Sequence, residues 1–207
     1  MDKDKYVKFS VSYLFSIKID DKYLLVHSRR KNTYQPIGGC YKFFDSAVPL
    51  LLKLGCIPAD KDPFDLRIFV PEASVPEFSA WLASGKDREN TFEREFFEEM
   101  FIENKYLNIE DFGFPEFNKV QDGYVNIKYD DFYKIKSAYP MDIVSVTLSD
   151  FQKEQIKKMV ESGKTPFIFA TESDIKKGAV LVNGKVVPLG SHTKKILQTS
   201  PKSLVLA

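Results

Sequence analysis

The chain has 207 residues, a length that suits one domain or one domain with a large insertion. Its 30 Lys+Arg against 29 Asp+Glu leave a formal net charge of +1, which argues against a protein built to wrap nucleic acid or to coat anionic lipid; no DNA binding is expected. With 43% hydrophobic and 29% charged residues, 18 Phe and 10 Tyr, the composition is that of a chain with ample core material, not of a disordered one.

Val11 to Ile19 mostly alternates and is rich in β-branched and aromatic residues, so it reads as a strand. Asp20-Asp21-Lys22 turns into a second strand, Tyr23 to His27, and the two make a hairpin. Ser28 to Thr33 is polar and basic, a loop. Tyr34-Gln35-Pro36-Ile37 then runs into Gly38-Gly39, where backbone without Cβ admits left-handed angles or the close approach of a ligand. Asp45 is a candidate cap for a short helix over Ala47 to Leu54, with Pro49 tolerable in its first turn. Asp65 to Val70 reads as a strand closed by Pro71, and Val75 to Ala83 as a helix with Pro76 early and Gly85 past its end.

Asn90 to Glu103 carries the strongest helical pattern. Phe112 to Val120, Phe132 to Ala138 and Ile143 to Thr147 read as three strands. Ser149-x-x-Gln152 is a capping box that opens a helix to about Glu161, which Gly163 ends. Phe167 to Ala170 is a short strand and Glu172 to Lys177 a short helix. Val180 to Val187 forms a hairpin around Asn183-Gly184, and Gly190 to Gln198 a last helix before a tail over 200–207. There are no repeats or interdomain linkers. The fold class expected is α+β in one domain, 1–207, with an insertion over about 40–87.

Cys40 and Cys56 lie sixteen apart without a His or Cys at finger spacing, so neither a zinc site nor a disulfide framework is expected. The first residues carry no apolar signal core, and the longest apolar run, Ala47 to Leu52, is broken by Pro49 and too short to span a bilayer. A cytoplasmic protein without a membrane partner is the expectation; oligomeric state is open.

The sharpest chemistry lies in Arg94-Glu95-Phe96-Phe97-Glu98-Glu99. At about 100° per residue, Glu95, Glu98 and Glu99 fall within an arc of roughly 100°, and Phe96, Phe97, Met100 and Phe101 take the opposite face. Like charges so spaced cost roughly 0.2–0.5 kcal/mol per pair even when exposed. A divalent cation reverses the sign, since Mg²⁺ takes carboxylate oxygens and shares them with phosphates. Spacing alone also suits solvated charges on a surface helix, Glu being a good helix former.

A hairpin, a strand entering Gly-Gly and a helix bearing R-E-x-x-E-E resemble the Nudix family, whose signature joins a Gly-started loop to a helix of form REUxEExGU, U being bulky aliphatic. Arg94, Glu95, Glu98, Glu99 and Ile102 match it; Phe96 stands at the first U, Phe101 where the family has Gly, and Lys86 where an upstream Glu belongs. Tyr34 to Lys42, the Asp65-Leu66-Arg67 strand, Phe78-x-x-Trp81, Thr171-Glu172-x-x-Ile175 and His192 to Leu197 resemble the NUDIX domains associated with CD-NTase (SMODS) genes of bacterial antiphage (CBASS-type) systems, over about residues 9–198.

The resemblance implies a Nudix-like α/β/α sandwich with a mixed sheet. It implies a hydrolase of a nucleoside diphosphate linked to another moiety, with Glu95, Glu98 and Glu99 holding Mg²⁺ (or Mn²⁺). Arg94 would orient them, Glu98 or Glu99 would act in catalysis, with Glu98 or a further acidic residue of the C-terminal half as base, and Gly38 and Gly39 would shape the substrate loop. A CD-NTase-linked pathway is the implied setting. The departures at Lys86 and Phe101 favour a second expectation, a catalytically degenerate nucleotide-binding sensor; a protein-interaction module is a third. His27, His192, Arg29 and Arg30 read as structural or solvated, and Phe78 and Trp81 as the seat of the inserted helix.

Overall fold

The computed structural model describes residues 2–28, 31–102 and 106–197. In chain order the first half comprises β1 (Tyr6–Ser10), β2 (Ser12–Ser16), β3 (Lys18–Ile19), β4 (Lys22–Ser28), β5 (Thr33–Gln35), β6 (Gly38–Cys40), α1 (Val48–Lys53), β7 (Ile57–Pro58), β8 (Arg67–Pro71) and α2 (Val75–Ser84). There follow α3 (Glu93–Phe97), α4 (Ile109–Phe112), β9 (Glu116–Gln121), β10 (Ile127–Asp130), β11 (Ile135–Ala138), β12 (Met141–Thr147), α5 (Asp150–Glu161), β13 (Phe167–Thr171), α6 (Glu172–Lys177), β14 (Ala179–Val182) and β15 (Lys185–Pro188). Mixed sheets with interspersed helices make this an α+β fold. No described helix is long and apolar enough to cross a membrane.

The chain divides into two compact units. The first comprises Met1–Tyr13, Gly39–Thr91 and Asp122–Asp142. Its sheet has the order β10-β11-β1-β8-β7, with β1 parallel to β11 and antiparallel to β8. Alternation in β1 sends Val7 and Phe9 inward opposite Val70 and Ile68. The Phe9 ring meets Phe78 of α2 at 4.8 Å, and Trp81 packs beside Phe78. Pro76 lies in the first turn of α2, and Gly85 ends it at φ +68°, where a Cβ would also press on the Asn90 side chain. Asp142 gathers this unit's separate stretches: Tyr41 donates to its Oδ2 at 2.6 Å and the Gly123 N–H to its Oδ1.

The second unit comprises Leu14–Gly38, Phe92–Gln121 and Ile143–Ala207. In it β13 pairs with β4 and β4 with β3, while β9 pairs antiparallel with β12 from Ile143 onward. Phe15, Phe96 and Phe117 stack edge to face or tilted at 5.2–5.7 Å in its core. The Ser149–Gln152 box is complete at the start of α5, and the Gln152 amide also donates to the Phe112 carbonyl at 3.0 Å. A second box, Thr171–Asp174, opens α6. Asn183 and Gly184 both take positive φ, as the tight hairpin of β14 and β15 requires.

Several expectations are corrected. The strand over Val11 to Ile19 is broken into β2 and β3, and β7 and β10 lie where the sequence pattern predicts no strand. Asp45 does not cap: a 3₁₀ turn, Asp45–Ala47, precedes α1, and neither N-cap makes a side-chain bond. Phe112 ends α4 instead of starting a strand, and the final helix is a 3₁₀ stretch, Thr193–Leu197. Arg29, Arg30, Glu103 and the tail over 200–207 lie outside the described residues.

Candidate functional site

The acidic segment lies in the second unit, but not as one long α-helix. α3 covers Glu93–Phe97 and continues as a π turn over Glu98–Ile102. At its start the Glu93 carboxylate accepts the Phe92 N–H at 2.9 Å, standing in for a cap. Aromatic side chains pack on the inner side of this turn. Phe96, Met100 and Phe101 are all buried, and the Phe101 ring rests on Phe97 at 5.4 Å and on Phe112 at 5.2 Å. Met100 and Phe101 lie on the aromatic face that a regular 100° step also gives them. Such π turns recur at functional sites.

Arg94 holds the acids on the other side. Its Nη1 donates to Glu95 Oε2 at 2.8 Å and to Glu98 Oε2 at 2.7 Å, charge-assisted bonds that fix both carboxylates to one nitrogen. The side chains of Arg94 and Glu95 are 25% and 21% exposed, that of Glu98 37%, so Glu98 is the most open of the three. Glu99 is half-buried, with Oε2 sealed from solvent. The structure therefore brings Glu95 and Glu98 together through Arg94.

Oxygen donors suit Mg²⁺ chemically. Their placement is another matter: among the described residues, no three His, Cys, Asp or Glu side chains are arranged to hold a metal ion. As placed, the described side chains do not gather around a divalent ion.

Gly38 and Gly39 lie in β6, in extended backbone, and neither takes a positive φ. They form part of a strand, not the loop expected of them. Lys86 sits exposed in the turn after α2, in the other unit, where its N–H donates to Ser84 Oγ. His27 bonds Asn32 Oδ1 at 3.0 Å and packs against Tyr34, a structural role. His192 is half-buried; burial and the charges of Lys31 and Lys195 hold its pKa below the ordinary histidine value. Sequence reading missed that basic neighbourhood, because no local spacing joins Lys31 to the last 3₁₀ stretch.

A family model described as the SMODS-associated NUDIX domain matches residues 6–197. No curated protein and no solved structure matches the chain. With the match spanning both units and the R-E-x-x-E-E turn inside it, the chain belongs to the SMODS-associated NUDIX family.

Proposed function

We propose that the chain is a Nudix-type hydrolase that cleaves a nucleoside diphosphate linked to another moiety, in a CD-NTase-linked antiphage pathway. The family supplies the hydrolase type and the nucleotide-derived class of substrate. The observation that supports the reading most is Arg94, bonded through one nitrogen to Glu95 and Glu98 at 2.8 and 2.7 Å. Arg94 is the positioning residue. Glu98, the most open of the three, is the base. Water adds to one phosphorus, the bridging P–O bond breaks toward the departing phosphate, and Glu98 accepts the proton of the water. Nudix enzymes generally use divalent metals. Dependence on Mg²⁺ or Mn²⁺ is therefore an outcome to measure.

The test is steady-state hydrolysis of nucleoside diphosphate sugars, with and without each ion. Glu98→Gln, with its fold verified by circular dichroism, should lower kcat by roughly 10²–10⁴-fold. Turnover at the unsubstituted rate would end the assignment of Glu98. A second reading, the sensor without catalysis, is favoured by the ungathered carboxylates and by Phe101 in the place of the family's Gly. Calorimetry with cyclic di- and trinucleotides separates the two: tight binding with no product on chromatography supports the sensor, and cleavage excludes it.

A further inference from the structure

The sheet of the first unit has two unlike edges. At one end β7 is two residues long and includes Pro58, which cannot donate to another strand. At the other, β10 has β11 on one side and, among the described residues, no strand on its other side. β10 has no proline, and Ile127 and Tyr129 are 39% and 58% exposed, with Tyr124 and Phe132 extending the apolar surface. Ladder register puts Ile127 and Tyr129 on the face that carries Val7 and Phe9, the face covered by α2. Beside them, where α2 begins at Val75 and Pro76, lies a groove of about 450 Å³.

The strand is also complementary to itself. With both groove faces on the same side, an antiparallel pairing centred on Tyr129 sets Lys128 of one copy opposite Asp130 of the other, twice, and Tyr129 opposite Tyr129. Centring on Lys128 or on Asp130 instead sets like charges face to face, which is unfavourable. Asp130 is held in place for this by the N–H groups of Phe132 and Tyr133, both donating to Oδ1. We propose that β10 is a self-association edge, at which a second copy of this chain adds antiparallel about Tyr129 to make one ten-stranded sheet. Main-chain bonds and the packing of Ile127 and Tyr129 supply the attraction. The exposed charge pairs add little energy and select the register.

The register gives the test. Opposite residues in an antiparallel pair have Cα atoms about 4.5–5.5 Å apart, within reach of a disulfide. The two Ile127 positions, displaced by four residues along the strand, are about 13 Å apart and cannot be bridged. Tyr129→Cys and Ile127→Cys are made in the full chain, whose own Cys40 and Cys56 are buried. On mild oxidation Tyr129→Cys should cross-link at least tenfold more than Ile127→Cys. The unsubstituted protein should sediment at twice the mass of one chain, and Lys128→Asp should weaken its dimer at least tenfold. A single-chain mass at every concentration, equal cross-linking of the two cysteine variants, or a dimer indifferent to Lys128→Asp would overturn the proposal. The Lys128→Asp arm holds even if a cysteine variant fails to fold.

Discussion

Arg94 decides how Glu95 and Glu98 stand. One nitrogen shared by Glu95 and Glu98 replaces like-charge repulsion with two charge-assisted bonds, so removing it has consequences beyond a lost contact. Arg94→Ala should lower kcat by about tenfold or more with little change in KM, and Arg94→Lys, which keeps the charge without the planar fork, should recover part of that loss. Steady-state kinetics on the folded variants check both. His192 supplies a pH signature. Its pKa lies below the ordinary value in the folded chain, so over that window the unfolded chain binds more protons, and stability falls as pH drops through about 6.5. Urea midpoints measured from pH 8 to pH 5 should decline, and His192→Gln should flatten that decline while Lys31 and Lys195 stay charged.

Elements bounded by local chemistry were legible in the sequence. The Ser149 box, the Asn183-Gly184 turn and Gly85 each satisfy a requirement of their own few residues, and α5, the β14–β15 hairpin and α2 follow. The acidic turn was legible in composition but not in geometry. Its π turn lies where Phe101 packs on Phe112, eleven residues away, a contact that no helical wheel contains. Gly38 and Gly39 misled for the same reason, because pairing partners, not glycine's freedom, put them in a strand. β10 escaped notice because it is a short, exposed edge strand whose existence depends on β11. Two outcomes belong to this scale. Phe101→Gly, which restores the family letter, should cost at least about 3–5 kcal/mol by emptying the aromatic cluster, seen as a lower denaturant midpoint and no gain in activity. Ser149→Ala should cost about 1 kcal/mol and lower Tm by roughly 2–4 °C.

In the whole molecule, polar contacts join distant stretches of chain within each unit. Gly123 is one such point: a Cβ there would clash with the Met141 backbone nitrogen, and its N–H serves Asp142, which Tyr41 also reaches. Gly123→Ala should therefore destabilise the first unit, read through the fluorescence of Trp81, the only tryptophan, which lies in that unit. The proposed chemistry belongs to the second unit, where Arg94, Glu95, Glu98 and Glu99 all reside. The most direct measurement of that assignment is ³¹P NMR of nucleoside diphosphate sugars incubated with the protein in ¹⁸O-water, with Mg²⁺ or Mn²⁺ present. Cleavage at the diphosphate with one ¹⁸O in one phosphate product, lost in Glu98→Gln, is the expected result. Intact substrate under all conditions, or label incorporated equally by Glu98→Gln, would contradict it.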